Sequence, residues 1–332
     1  MLRRSLFVAV AALAVTMSAA FAAENKPAIV FDIGGKFDKS FNESMFNGAE
    51  KFKAESGVAY GEFEIANEAQ REQAIRNFAD QGYSPIIAAG FAQAAAVEKV
   101  AKEYPELKFA IVDMVVDLPN VQSIVFKEHE GSYLVGLLAG MASKSGKVGF
   151  VGGMDIPLIR KFACGYAQGV KAAKADATIF QNMTGDTGAA WNDPVKGGEI
   201  TKGQMAQGAD VVYAAAGATG LGVLQAAADG GALSIGVDAN QNYLHPGKVL
   251  TSMLKRVDVA VFNVMKNGND GFKPGIQVLG LAEEGVGYAM DDNNKPLVTA
   301  EMQAAAEKAR ADIIAGTIKV HDYTTDNTCP VQ

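Results

Sequence analysis

At 332 residues the chain is long enough for two domains, and 49% of it is hydrophobic. Its formal net charge of -7 and its lack of basic clusters argue against nucleic acid and anionic membrane surfaces as partners. Only two cysteines and three histidines are present, which leaves little material for metal chemistry.

The first residues read as a leader. Met1 to Arg4 is a basic stretch, Leu6 to Met17 an apolar run too short for a membrane span, and Ala20-Phe21-Ala22 a small-x-small cleavage site. Arg3-Arg4 also admits a twin-arginine reading, with an incomplete flanking pattern. Cleavage before Ala23 leaves 332 − 22 = 310 residues, and loss of Arg3 and Arg4 takes the charge to 28 − 37 = -9. No cysteine stands near the cut to accept a lipid. The expectation is therefore a soluble, exported protein of the periplasm, with a cleavable signal peptide over 1–22 and no lipid anchor.

From Ala28 the pattern is strand, loop, helix. Ala28 to Phe31 is a buried strand ending at Asp32, and Gly34 and Gly35 permit a tight loop. Ser40 and Glu43 fit a capping box, which places Phe41 and Asn42 in the first helical turn. Strands then read at 63–65, 85–89, 109–112 and 121–125, with helices at 68–81 and 92–103. A helix over 128–142, with three glycines suited to close packing, restarts the pattern. Strands at 147–152, 178–182, 211–215, 233–237 and 249–253 alternate with helices at 157–173, 193–207 and 221–228. Val257–Lys266 reads as a helix, 275–280 as a strand and 301–315 as a charged helix. Such alternation predicts α/β architecture with two parallel sheets covered by helices on both faces. The leftover C-terminal part implies that the chain crosses between lobes more than once.

Motif searches for catalysis are nearly empty. His129, His245 and His321 show no metal spacing, and there is no nucleophile elbow and no P-loop. The Gly-rich run from Gly217 to Gly222 precedes a helix and can cradle a phosphate, but it lacks the dinucleotide order. Cys164 and Cys329 can pair in an oxidising compartment; the other reading is a small core thiol and an exposed free one.

What stands out is polarity just after strands. Asp32, Asp113 and Asp238 each end one, where α/β sheets bind ligands. Carboxylates there accept from hydroxyls, sugar edges and base N–H groups. Asp38 in the opening loop is either a further ligand acid or a turn residue. Phe41 and Trp191 stand at matching helix starts, one in each half. Taken singly each fits a staple or core position, and together they can sandwich a flat ring. Lys255 can donate to a hydroxyl or sit solvated on the surface.

Five blocks carry a family resemblance. They begin at Asp32-Ile33-Gly34-Gly35-Lys36-Phe37-Asp38-Lys39-Ser40-Phe41-Asn42 and continue through Gly149–Pro157, Ala215–Val223, Ile235–Asp238 and Leu250–Asp258. In this order they resemble the basic membrane protein (Bmp) family of ABC-transporter substrate-binding proteins, which is related to the spirochaete purine nucleoside receptor. The resemblance implies a type I periplasmic-binding-protein fold, with two Rossmann-like lobes, a three-segment hinge and a ligand in the cleft. On the strand pattern, lobe 1 is expected over 23–127 and 256–284, and lobe 2 over 128–255 and 285–332.

The resemblance further implies a purine nucleoside of the adenosine, guanosine or inosine class as ligand. Phe41 and Trp191 then hold the base, Asp32, Asn42 and Asp113 contact it, and Gly217, Asp238 and Lys255 sit at the ribose. Many relatives carry Phe where this chain has Trp191, and many are lipid-anchored. The expected protein is a monomer without cofactor, no enzyme, whose partner is the ABC permease in the inner membrane. A sugar-binding protein, a periplasmic sensor and a nucleoside hydrolase or phosphorylase are the rival readings.

Overall fold

The computed structural model describes residues 25–331, so the leader reading lies outside the described residues. Two six-stranded sheets form the frame. In the first sheet, β1 (Ala28–Phe31) is flanked by β2 (Gly61–Glu64) and β3 (Ile86–Ala88), followed outward by β4 (Phe109–Val112) and β5 (Val121–Phe126). The second sheet repeats the plan: β6 (Lys147–Met154) lies between β7 (Thr178–Gly185) and β8 (Val211–Ala215), followed by β9 (Leu233–Asp238) and β10 (Val249–Lys255). β11 (Gly275–Leu279) closes the first sheet on β5, and β12 (Val286–Tyr288) closes the second on β10. Every pairing is parallel except β10 with β12.

The central strands are continuous apolar runs because both of their faces are covered. β1, β3, β4 and β8 are buried at every residue. Helices α1 (Phe41–Ser56), α2 (Arg71–Asp80) and α3 (Ala94–Glu103) join the strands of the first sheet. α4 (Glu128–Ala142) leads into the second sheet, whose strands are joined by α5 (Pro157–Ala173), α6 (Pro194–Ala206) and α7 (Thr219–Asp229). α8 (Val257–Asn267) returns to pack on α1, and α9 (Ala300–Ile314) packs on α4. α4 and α5 approach closely: a Cβ on Gly136 of α4, or on Gly165 or Gly169 of α5, would run into the facing helix's backbone.

The chain passes between the sheets three times: from β5 to α4, from β10 to α8 and from β11 to β12. Each lobe is thus a doubly wound unit, and the carboxyl ends of both sheets face one cleft. The element order agrees closely with the sequence pattern. The short antiparallel β12 is the strand that the pattern missed. α2 and α3 each start later than expected, behind a turn of 3₁₀-helix at 68–70 and 91–93.

Cys164 and Cys329 are bonded, with Cα atoms 5.6 Å apart. Of the two open readings, the paired one holds, and it staples the C-terminal tail to α5.

Candidate ligand-binding site

All nine residues singled out from the sequence line one cavity between the lobes: Asp32, Asp38, Phe41, Asn42, Asp113, Trp191, Gly217, Asp238 and Lys255. Ile33, Phe91, Leu158 and Phe162 complete much of its apolar wall and were not singled out. Nothing in a single sequence marks them, since each is an ordinary apolar residue in a loop or in the first turns of a helix.

The first lobe brings Asp32 from the end of β1. Its carboxylate pairs with the Arg71 guanidinium and accepts from the Ile33 N–H at 2.8 Å. Burial raises its pKa, and Arg71 opposes that shift. Asn42 spends its amide on the loop: Oδ1 accepts from the Asp32 N–H at 3.1 Å, and Nδ2 donates to the carbonyls of Asp32 and Gly35. It therefore fastens helix α1 to strand β1.

The expected capping box at Ser40 and Glu43 does not form. Lys39 takes a left-handed φ of 61°, which turns the Ser40 hydroxyl across the cleft to donate to Asp238 Oδ2. The cap is supplied instead by Asp38, whose carboxylate accepts from the N–H groups of Ser40, Asn42 and Glu43 at 2.8, 3.0 and 3.1 Å. Burial pushes Asp38 up to about 6 despite those donors. Its turn-residue reading is thus realised at the same time as its place on the cavity wall.

The second lobe brings Trp191 from a 3₁₀ turn, Gly188–Trp191, between β7 and α6. The indole lies against Gly153, where a Cβ would collide with the ring. Thr184 and Thr219 both donate to the Ala190 carbonyl, at 3.0 and 2.8 Å, and hold the turn. Phe41 and Trp191 are not topological equivalents, as the matching helix starts had suggested. Phe41 opens the helix after the first lobe's central strand β1, whereas Trp191 precedes the helix after an edge strand, β7.

Asp113 and Asp238 are equivalents. They sit after and at the end of corresponding strands, β4 and β9, with φ of 73° and 65°. Asp and Asn tolerate this region better than other non-glycine residues. Burial pushes both carboxyls up to about 6, against the pull of Lys255.

Lys255 is 2% exposed, with its Nζ 2.7 Å from each Asp113 oxygen and 3.0 Å from Glu128 Oε1. The rings of Phe41, Phe126 and Phe162 surround the ammonium at 5.4, 5.1 and 5.6 Å. Burial alone would lower its pKa; Asp113, Glu128 and Asp238 overcome that and hold it above the ordinary lysine value. The solvated-surface reading of Lys255 is thereby excluded. Arg71 and Glu128 are the charged residues that sequence reasoning missed.

The lobes are latched across the cleft by Ser40 on Asp238 and by Gln241 Nε2, which donates to the Lys39 carbonyl at 2.9 Å. Among the described residues no group of His, Cys, Asp and Glu side chains is arranged to hold a metal ion, and no helix is long and apolar enough to cross a membrane.

Two doubly wound lobes closed on a cavity lined by carboxylates from both of them make this a cleft-type solute-binding protein. The model of the family described as "ABC transporter substrate-binding protein PnrA-like" matches residues 26–324, and the chain belongs to that Bmp family. The family consists of substrate-binding proteins of ABC transporters, not enzymes. The "ABC transporter nucleoside-binding protein BmpA" of Lactococcus lactis is 34% identical, over 89% of this chain and 88% of its own length. A crystal structure of an ABC transporter system solute-binding protein from Aeropyrum pernix superposes with a TM-score of 0.82 at 29% identity, covering 90% of this chain and 93% of that one.

An uncharacterized lipoprotein of Pyrococcus horikoshii is 36% identical, over 79% of this chain and 68% of its own length. That relative overturns the expectation of a periplasmic protein free of any lipid anchor. The unanchored reading rested on the leader, which lies outside the described residues.

Proposed function

We propose that this chain binds a purine nucleoside in the interlobe cavity, as a monomer, and delivers it to the permease of an ABC importer. The observation that carries the reading is one cavity lined by two rings, Phe41 from one lobe and Trp191 from the other, and by the carboxylates Asp32, Asp113 and Asp238. A flat heterocycle stacks on rings whatever its substituents, and its N–H edges and ribose hydroxyls donate to carboxylates. Asp32 accepts at the base edge in this reading, held there by Arg71 and Asn42. Asp113, Asp238, Gly217 and Lys255 surround the ribose and the inner base edge.

The latch between Ser40 and Asp238 favours a closed state that buries the ligand and presents both lobes together to a permease. The nucleoside-binding name of the Lactococcus lactis relative supports the ligand class. Calorimetric titration with adenosine, guanosine, inosine and free ribose tests the proposal. Saturable binding of at least one purine nucleoside, with ribose much weaker, is expected. Tight binding of ribose or another sugar and of no nucleoside would refute it.

A further inference from the structure

Glu128 stands behind the cavity wall and yet organises its charge. It is 1% exposed and opens α4, directly after the crossover from β5. Its Oε1 lies 3.0 Å from Lys255 Nζ and its Oε2 lies 2.9 Å from Lys161 Nζ. Lys255 itself directly precedes another crossover, from β10 to α8. The pair therefore ties two of the three hinge segments together at the inner end of the ligand cavity. Lys161, from α5, also donates to the Phe126 carbonyl at 2.7 Å and lies 3.5 Å from Asp322 Oδ2. His129 Nδ1 is 3.7 Å from the same Asp322 oxygen. Asp322 arrives on the tail that the disulfide staples to α5.

An ammonium has three donors. Asp113 and Glu128 take one side of Lys255, and Lys255 lines the cavity with the remainder. Both Asp113 oxygens already lie 2.7 Å from Nζ; with Glu128 removed, no second carboxylate would draw the ammonium off them and leave their remaining lone pairs to the ligand. We propose that Glu128 is a positioning residue of the ligand site, sharing the Lys255 ammonium across the hinge so that Asp113 and Lys255 both remain available to the ligand. For its ligand this inference rests on the nucleoside reading; the charge-sharing itself does not.

The charged groups that face Lys255 are Asp113 after β4, Asp238 at the end of β9 and Glu128 on α4; those that face Glu128 are Lys255 and, on α5, Lys161, with His129 and Asp322 beside them. The negative charge of Glu128 is one of the causes that raise Asp113, so neutralising it lowers the Asp113 midpoint. A residue that merely supports the fold leaves the affinity for the ligand in place.

The test compares the full protein with Glu128→Gln in two measurements. The first is a 13C NMR titration of the Asp113 carboxyl carbon without ligand. The second is calorimetric titration with the nucleoside that the unsubstituted protein binds. The expected result is a downward shift of the Asp113 midpoint from about 6, with at least about tenfold weaker nucleoside binding. An unmoved midpoint overturns the proposal, as does a moved midpoint with unchanged affinity. If the unsubstituted protein binds no nucleoside, the proposed function fails, and the midpoint alone decides the sharing of charge. Should the glutamine variant not fold, Glu128→Asp keeps the charge while withdrawing it from Lys255. Its midpoint should stay near that of the parent while its affinity falls, and an unchanged affinity overturns the positioning role.

Discussion

The two lobes share a strand order and differ in what they place at corresponding points. Both put an aspartate in the left-handed region after the same strand, Asp113 after β4 and Asp238 at the end of β9, and both follow the preceding strand with a left-handed glycine, Gly90 and Gly217. They part company at the central strand. β1 is followed by an acid, Asp32, and α2 opens with the cation that answers it, Arg71. β6 ends in an apolar residue, Met154, at the corresponding depth, and the 3₁₀ turn before α6 lays Trp191 on Gly153. Beside this one strand, then, the first lobe sets an ion pair and the second lobe a ring. The lesson is that strand topology fixes where a site lies, while the residues at and beside each strand end set its chemistry.

The charge side of the comparison breaks most severely. Arg71→Ala leaves the Asp32 carboxylate buried without its cation, a loss on the order of 3–5 kcal/mol in unfolding free energy. Denaturant melts should show it, with Arg71→Lys recovering part. The disulfide belongs to the second lobe alone, so Cys164→Ser with Cys329→Ser should cost about 2–4 kcal/mol and leave the first lobe's sheet protected in hydrogen exchange. Equal loss of protection in both lobes would show that they unfold as one unit.

The ring side is weaker but closer to the ligand. Trp191→Ala and Phe41→Ala should each weaken nucleoside binding by about 1–3 kcal/mol with circular dichroism unchanged. If only one of them matters, the two-sided sandwich is wrong.

The smallest effect is that of pH. Burial holds Asp113 and Asp238 near 6 in the unliganded protein. Hydroxyl donors of a ligand prefer the charged carboxylate, so the bound state has the lower pKa. Affinity is then full above about 6 and declines as pH falls through that value, by about tenfold between pH 7 and pH 5. Asp238→Asn should flatten the profile. Stability of the unliganded protein runs with the opposite sign for this group. A carboxyl raised in the folded state contributes fully below its ordinary value of 3.8 and loses that contribution as pH rises through about 6.

Much of this was legible from sequence because strand ends are marked locally. Asp32, Asp113 and Asp238 each follow an apolar run; one such acid reads as a cap or turn residue, but three at the strand ends of two lobes point to the cleft. Phe41 and Trp191 stood out as rings at helix starts, one in each half, and the resemblance gave them and Lys255 their roles; the structure gathers all three around one cavity. Glu128 was invisible because an acid at a helix start also reads as an ordinary dipole partner, and Arg71 because a cation in a charged helix reads as a solvated surface residue. Their partners, Asp32 and Lys255, lie 39 and 127 positions away, so only tertiary structure makes the pairs. The capping box misled for a similar reason: Ser40 had a stronger use across the cleft, and Asp38 stood close enough to take over the helix start. β12 escaped because three residues in a glycine-flanked segment carry no period.

Trp191 is the chain's single tryptophan and lines the cavity, so its emission reports the central claim directly. Intrinsic fluorescence titrated with adenosine, guanosine, inosine and ribose should change saturably with at least one nucleoside and stay flat with ribose. A flat signal with every nucleoside, together with a saturable change on adding a sugar, would contradict the account.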